Sequence, residues 1–242
     1  MLASDPLAAA QTDGPRHAST LDYAAVLQTA AKANNLRKSE GTRLRLLAAV
    51  AMRLAKGDKV ADLRVTDIAD AAGVAHGTFY RYFSDREEIV EVVVSGFVSF
   101  VQDGLKEARS GQAGTLIRAH AATLAYVRLF RCNAGLMRLL LAVDASSPAR
   151  DRFHALNRDW NRRVAATIAL RRLGASSVKE EMIEAVLPEA YALGGMVDEF
   201  LAQLYLRQDP VLVGLVDDEK AVAHLLTMIW YRAAFGEPPI VP

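Results

Sequence analysis

The sequence predicts an all-α fold, and three features of the 242-residue chain point to it. Apolar residues recur at spacings of three and four over most of the chain, which is the period of an amphipathic helix. Clusters of glycine, serine and proline interrupt this pattern, and no segment shows the convincing apolar–polar alternation of a strand. The chain is also 52% hydrophobic, so it has enough apolar side chains for a substantial core.

Residues 1–41 are predicted to form an N-terminal tail that contains one short helix. Residues 1–20 mix Ala, Ser, Pro, Asp and Gly, a composition typical of a disordered tail. Residues 21–35 are rich in alanine and favour a short helix, with Leu21, Ala25 and Gln28 about one turn apart. Residues 36–42 have the composition of a polar linker.

A clear helical pattern begins at Thr42 and is expected to end at Gly57, because glycine readily adopts the left-handed backbone that closes a helix. The apolar face of this helix consists of Leu44, Leu47, Ala51 and Leu54. A loop over residues 58–63 leads to a short helix over 65–72, whose inward side chains are expected to be Ile68, Ala69 and Ala72. Residues 73–75 form a turn, and a second short helix covers 76–83.

A longer helix should follow, capped by Ser84 or Asp85, because Glu87 and Glu88 in its first turn suit the helix dipole. The remaining helices are predicted near residues 85–109, 115–130, 134–144, 148–173, 178–207 and 218–235. Glycine, Ser-Pro and Asp-Pro sequences separate them. Pro188 should kink or interrupt the helix in which it lies, since proline removes a backbone hydrogen bond.

The segment 64–83 has the layout of a helix-turn-helix, in which the second of two short helices enters the major groove of DNA. Gly73 lies at the turn, and Phe79 and Phe83 are spaced i, i+4 so that both can anchor the second helix to the core. A polar and aromatic edge remains free for DNA, formed by His76, Gly77 and Tyr80. A glycine between two short helices is common in all-α proteins, so the layout alone does not settle DNA binding.

Local charge supports this interpretation modestly. The net charge of the whole chain is +1, which does not by itself indicate a nucleic-acid-binding protein. Residues 43–86 nevertheless carry eight Lys or Arg and five Asp or Glu, a local balance of +3. Another basic run, from Arg150 to Arg172, could be a second nucleic-acid surface, but interleaved acidic and apolar residues favour a solvated helix face.

Three strings within this region are more specific than the layout: I-A-x-x-A-G-V at residues 68–74, G-T-F-Y-x-Y-F at 77–83 and D-R-E-E-I at 85–89. Together they resemble the signature of the TetR family of transcriptional regulators over roughly residues 42–95. The resemblance implies a helix-turn-helix DNA-binding domain at 42–90. It also implies a larger helical ligand-binding and dimerisation domain at 91–242.

The resemblance assigns DNA contacts to individual residues. His76, Gly77 and Tyr80 fall where the family reads base edges, and Thr66 falls where a base can also be reached. The phosphate-contact positions are occupied by Thr78, Tyr82 and Arg86. The side chains of Tyr80 and Tyr82 could instead pack on the core, and His76 could simply be solvated.

The sequence departs from the family pattern before the first motif helix. The loop after Gly57 is about two residues longer than is usual in the family, and Leu63 and Arg64 replace the small hydroxyl residues that often begin the helix. We expect Asp62 to serve as the cap in their place and Arg64 to contact a phosphate.

The resemblance further implies a homodimer and a ligand cavity. Helices 178–207 and 218–235 would pair with a second copy through Leu193, Met196, Val197, Phe200, Leu204, Leu225, Leu226 and Ile229. Large side chains that could line a cavity are Phe97, Tyr126, Phe130, Met137, Phe153, His154, Trp160 and Tyr191. Cys132 and Asn133 are further polar candidates. Each of these residues could equally belong to an ordinary core.

We therefore expect a cytoplasmic DNA-binding regulator, a repressor that a small-molecule effector of unknown identity releases from a double-stranded DNA operator. The alternative is an all-α interaction module, or a regulator without a small-molecule ligand. No catalytic motif was found, so we expect no enzyme and no catalytic residues. The five scattered histidines and single cysteine lack metal-ligand spacing, so no metal and no cofactor are expected. No apolar stretch is long enough for a membrane span.

Overall fold

The computed structural model describes residues 21–33, 36–141, 148–174, 177–216 and 218–236. Within these ranges every regular element is a helix and no strand occurs, which confirms the all-α prediction. The tail predicted for residues 1–20 lies outside the described residues. The chain divides into a first unit, residues 14–104 with 129–153, and a second unit, residues 1–13 and 105–128 with 154–242.

The first unit begins with α1 (Tyr23–Ala31) and α2 (Lys38–Ala55). A 3-10 turn (Val60–Asp62) leads to the two short helices α3 (Val65–Ala71) and α4 (His76–Phe79). The long helix α5 (Arg86–Arg109) belongs to this unit as far as Gly104. Helix α6 (Thr115–Cys132) joins it from Leu129, and α7 (Ala134–Leu141) follows.

The second unit contains α8 (Pro148–Leu173) from His154 onwards and α9 (Glu180–Leu201), which continues into a π-helical turn (Ala202–Leu206). It also contains the short helix α10 (Pro210–Leu215) and the long helix α11 (Glu219–Phe235). The end of α5 from Leu105 and α6 as far as Arg128 complete it. None of the helices in the described ranges combines the length and apolarity needed to cross a bilayer.

The helix predicted over 21–35 is confirmed as α1, and its buried side chains are Tyr23, Ala24 and Leu27. The linker predicted over 36–42 is wrong, because α2 begins at Lys38. The backbone amide of Arg37 donates to the Glu40 carboxylate (3.1 Å) and so starts the helix early.

Other boundaries also differ from the prediction. The helix predicted over 76–83 ends at Phe79 and closes in tight turns, since Tyr82 and Phe83 both donate to the Phe79 carbonyl. The break predicted at Asp209-Pro210 starts α10, because Asp209 accepts from the amides of the first turn and proline needs none there. The helix α9 continues through Pro188 rather than being interrupted there.

Helix α1 is fixed to the rest of the first unit by buried contacts. The Tyr23 ring lies 5.7 Å from that of Phe97 and 5.3 Å from that of Phe100, and burial raises the pKa of its hydroxyl to about 12. The fully buried Asn133 accepts from the Tyr23 amide (3.0 Å) and donates to the Leu21 carbonyl (2.8 Å). Asn133 is therefore a structural residue rather than the ligand handle that we considered.

Close approach between α7 and α2 depends on a glycine. A Cβ at Gly135 would collide with the carbonyl oxygen of Leu54 at the end of α2. The start of α7 thus touches the helix that precedes the two short motif helices, within the same unit.

The second unit has its own apolar core. Ile168 of α8, Leu193 of α9 and Ala234 of α11 are buried against one another. Arg172 ties the same three helices together, because its guanidinium donates to both Glu189 (2.7 Å) and the Ala234 carbonyl (2.9 Å). The basic run of α8 therefore includes side chains that hold the fold together.

Candidate DNA-binding surface

The loop before α3 is held by arginines from two helices, Arg86 of α5 and Arg53 of α2. Gly57 adopts a positive φ of 95° and ends α2 as predicted. Leu63 is then almost fully buried, at 1% exposure, which explains why a large apolar residue stands there. Arg86 at the start of α5 reaches back and donates to the carbonyls of Ala61 (2.9 Å) and Leu63 (3.4 Å).

The predicted cap at Asp62 is wrong. Arg64 occupies the N-cap position, and no side chain accepts from the first turn of α3. Asp62 lies within the 3-10 turn, two residues too early to reach those amides. The start of α3 is instead fixed by ion pairs, because Arg53 of α2 contacts both Asp58 (2.7 Å) and Asp67 (3.2 Å).

Arg64 also pairs with Asp67, at 3.1 Å, while its side chain remains 78% exposed. The guanidinium groups of Arg64 and Arg53 lower the pKa of the Asp67 carboxyl, so this group carries its charge at neutral pH. Arg64 is thus available at the surface but partly neutralised by its neighbour.

The turn between α3 and α4 has the expected geometry. Gly73 adopts a φ of 65°, a conformation that side chains disfavour, and the Val74 amide donates to the Ala69 carbonyl (3.0 Å). Phe79 and Phe83 are 0% and 2% exposed, with ring centroids 5.8 Å apart. The predicted aromatic anchor of the second motif helix is therefore present.

The opposite edge of α4 is open to solvent. Tyr80 is 53% exposed, and its ring meets that of His76 edge-on with centroids 5.3 Å apart. A Cβ at Gly77 would meet no atom within 4 Å, so nothing obstructs a close approach to the backbone there. The side chains on this edge are exposed enough to contact a DNA groove. Tyr80 is therefore not a core residue, which was the alternative that the sequence left open.

Five of the residues assigned to DNA contact surround one open depression of about 470 Å³: Arg64, Thr66, His76, Tyr80 and Arg86. Gly77 is exposed beside them, whereas Thr78 and Tyr82 are half-buried and do not line it. The start of α5 borders the same surface. There the Ser84 amide donates to Glu88 (2.6 Å) and the Glu88 amide donates to Asp85 (2.8 Å), a reciprocal cap.

Arg86 has a structural task in addition to the phosphate contact assigned to it. Besides the two carbonyls of the preceding loop, its guanidinium contacts the Glu87 carboxylate at 2.5 Å, and that guanidinium lowers the Glu87 pKa. Its side chain is 31% exposed, so much of its hydrogen-bonding capacity is already used within the unit. Sequence comparison reveals the charge at this position but not these local partners.

The candidate cavity residues are divided between the two units. In the first unit, Phe97, Phe130 and Met137 are fully buried core residues and Phe153 is half-buried. In the second unit, His154 and Tyr191 are exposed, and Trp160 lies under the Arg109 guanidinium at 4.3 Å. Tyr126 donates to Asp198 at 2.7 Å.

Asp198 is a polar residue that the sequence reasoning missed. Its carboxyl lies in a mainly apolar part of α9, and burial raises its pKa although the Tyr126 hydrogen bond opposes the rise. The signal available in the sequence was an acidic residue directly after two apolar ones, Met196 and Val197. No group of three or more potential metal ligands occurs in the part of the chain that the structure describes.

Comparison with known proteins agrees with this geometry. Residues 47–93 match the family model of bacterial regulatory proteins, tetR family. The HTH-type transcriptional regulator EthR of Mycolicibacterium smegmatis is 27% identical over 211 residues, covering 84% of this chain and 91% of that protein.

Two solved structures have the same fold. The fatty acid degradation regulator FadR of Bacillus halodurans has a TM-score of 0.58 at 14% identity, covering 78% of this chain and 93% of its own. FadR of Bacillus subtilis, solved in complex with stearoyl-CoA, has a TM-score of 0.56 at 15% identity, with 81% and 99% covered. Residues 47–93 thus carry the signature of the tetR family of bacterial regulatory proteins, and the helices around them have the fold of these solved regulators.

Proposed function

We propose that the chain is a homodimeric repressor in the bacterial cytoplasm, which binds a double-stranded DNA operator and leaves it when a small molecule binds. The observation that carries this proposal is the exposed edge of α4 at His76, Gly77 and Tyr80, above the buried anchor of Phe79 and Phe83. An edge that is solvated on one side and fixed on the other can enter a groove without rearranging.

The DNA contact proposed for each residue follows from where that residue lies on or beside the exposed edge of α4. His76 and Tyr80 carry polar atoms at the exposed rim, and the bare backbone at Gly77 allows the helix to approach the base edges closely. Arg64 and Thr66 at the start of α3 supply flanking contacts to phosphate or base. Arg86, Thr78 and Tyr82 are assigned to the phosphate backbone by family resemblance, with Arg86 also fixing the loop before α3.

Dimerisation through α9 and α11 is supported by apolar side chains left at the surface. Leu225 and Ile229 are 39% and 42% exposed at i, i+4 spacing on α11, and Tyr191 of α9 is 40% exposed. By contrast, Leu193, Leu204 and Leu226 are buried within the protomer and would contribute to its core. Two DNA-reading helices at half-site spacing require two copies, and a two-fold dimer supplies them.

A small-molecule effector is supported by the fold and by one half-buried polar pair. The Bacillus subtilis FadR structure contains stearoyl-CoA, so this fold can hold a ligand. In the present chain, Tyr126 and Asp198 form a hydrogen-bonded pair within the second unit. An effector that binds one conformation of the dimer better than the other would shift the population away from the operator-bound state.

The reading edge is tested by replacing Gly77 with alanine. Space is open at its Cβ position, and a helical alanine is intrinsically favourable, so Gly77→Ala should fold normally and lose about tenfold or more in operator affinity. Operator fragments selected from genomic DNA would be used in a gel-shift titration. Gly214→Ala in α10 is the matched control, because its Cβ also meets nothing within 4 Å.

Equal operator affinity for wild type, Gly77→Ala and Gly214→Ala would contradict close approach at α4. Absence of any saturable, sequence-selective shift with the wild-type protein would contradict the repressor assignment itself.

A further inference from the structure

A cluster of positive charge lies outside the motif, where α1 turns into α2. We call it the basic corner, and it consists of Lys32, Arg37, Lys38, Arg43 and Arg45. All five side chains are exposed. The one acidic residue between Lys32 and Arg45 is Glu40, and its carboxylate accepts from the backbone amide of Arg37. The segment therefore has a net charge of +4, larger than that of residues 43–86.

The cations of the basic corner differ in their partners from three arginines in and beside the helix-turn-helix. Arg53, Arg64 and Arg86 each contact a carboxylate within 3.2 Å. Across the described residues, no carboxylate lies within ion-pair distance of any cation of the basic corner. Without such ion pairs, these exposed cations attract solvent counterions, which a polyanion would displace on binding.

The basic corner is continuous with the helix-turn-helix. The Arg43 guanidinium lies over the Phe83 ring, 5.4 Å from its centroid. An Arg45 guanidinium nitrogen lies 3.8 Å from the Cβ position at Gly73, the turn of the motif. The end of α1 meets the start of α2, because the Ala31 carbonyl is 3.8 Å from the Cβ position at Gly41. The positive surface thus extends from the motif turn onto α1 within one unit.

The basic corner is also held in place. Helix α1, which carries Lys32 at its C-cap, is anchored at its other end by the buried Tyr23 and by the hydrogen bonds of Asn133. Arg37 and Lys38 stand at the start of α2, whose remaining length is largely core. Charges on anchored helix ends keep their spacing, which favours a repeating array of phosphates over a single small anion.

We propose that the basic corner is a second DNA-contact surface that binds the phosphate backbone beside the site read by α4. The proposal rests on the DNA-binding function proposed above and extends it to α1, a helix that precedes the family signature. The corner supplies affinity without sequence preference, since its proposed targets are phosphates, which are the same at every step of the duplex.

The test compares cations at the two ends of α2. Wild type, Lys38→Ala and the triple variant Lys32→Ala/Arg37→Ala/Lys38→Ala are titrated with a random-sequence duplex and with selected operator DNA over a range of salt concentrations. The control is Lys56→Ala, an exposed lysine at the opposite end of the 18-residue helix, about 27 Å away. Lys38→Arg tests whether charge is sufficient.

For each phosphate contact removed, the slope of log affinity against log salt should become shallower by about 0.9. The triple variant should lose affinity by on the order of tenfold at low salt, by the same factor on both duplexes. Lys38→Arg and Lys56→Ala should behave as wild type. The proposal is overturned if the triple variant keeps the wild-type slope, or if Lys56→Ala changes it equally.

Failure of the operator assignment would give a different pattern. In that case wild type would show no preference for any operator, yet the random duplex would still report whether the corner contributes to the salt slope. Thermal unfolding of every variant checks that the fold is intact. The unfolding temperature should not change, because all of these substitutions are at solvent-exposed positions.

Discussion

At the scale of single residues, the Tyr126–Asp198 pair is the least expected feature of the second unit. The tyrosine hydroxyl donates to the carboxylate at 2.7 Å, and the two residues are 72 positions apart in the chain. Burial and the nearby Asp198 raise the Tyr126 pKa well above its usual range, and burial raises that of Asp198. A carboxyl group whose pKa is raised by folding is less costly to bury when it is protonated.

This shift predicts how stability depends on pH. The folded-state pKa of Asp198 lies above the unfolded value, so the folded state binds the proton more tightly. The contribution of this group to the free energy of unfolding should be greatest below the unfolded pKa and should fall as pH rises through the folded pKa. Urea unfolding of wild type and Asp198→Asn between about pH 4 and 7 measures it.

The difference between the two unfolding profiles should grow with pH, with the asparagine variant the more stable at neutral pH. Tyr126→Phe is the companion variant. It removes the hydrogen bond that favours the carboxylate, so the Asp198 pKa should rise further and the loss of unfolding free energy should extend to higher pH. Parallel profiles for wild type and Asp198→Asn would show that the carboxyl does not titrate abnormally.

At the scale of elements, α1 shows how a short helix is stabilised from a distance. Its nine residues are too few for a stable helix in isolation, and its cap at Asp22 accepts one hydrogen bond, from the Ala25 amide. Further stabilisation comes from the buried side chains of Tyr23, Ala24 and Leu27, and from Asn133, which is 110 residues away from Tyr23 in the chain. Alanine content therefore predicted that the helix exists, but it did not predict the distant residue that anchors it.

Replacement of Asn133 by leucine should release α1 selectively. It leaves the Tyr23 amide and the Leu21 carbonyl without their partners and should cost about 2–3 kcal/mol of unfolding free energy. Hydrogen exchange of the α1 amides should accelerate. Asn161→Leu, at a second deeply buried asparagine among the described residues (2% exposed, second unit), is the control and should leave α1 exchange unchanged. Unaltered α1 protection in Asn133→Leu would contradict this anchoring.

At the scale of the whole molecule, the assembly depends on how apolar side chains divide between core and surface. Of the eight residues expected at the dimer interface, three are buried, Leu225 and Ile229 are exposed, and Met196, Val197 and Phe200 are half-buried. Periodicity identifies the apolar side of a helix but cannot tell a protomer core from a subunit interface, because both require the same residue types.

The exposed side chains of Leu225 and Ile229 lead to a prediction about oligomeric state. Leu225→Asp/Ile229→Asp should convert the dimer to monomer in sedimentation experiments and abolish tight operator binding, because charged groups would be buried against the second copy. Val213→Asp is the control, an equally apolar side chain that is 48% exposed on α10. A double variant that sediments as the wild type does would place the interface elsewhere.

By itself, the sequence determined the DNA-reading motif: the turn at Gly73, the anchor at Phe79 and Phe83, and the exposed edge at Tyr80. These features depend on helical spacing and on glycine backbone freedom, which are properties of neighbours in the chain. Only the tertiary structure decided how Asn133 holds α1, how Arg86 holds the loop before α3, and that Tyr126 meets Asp198. Those contacts join residues 25 to 112 positions apart, and local periodicity carries no information about which distant groups will meet.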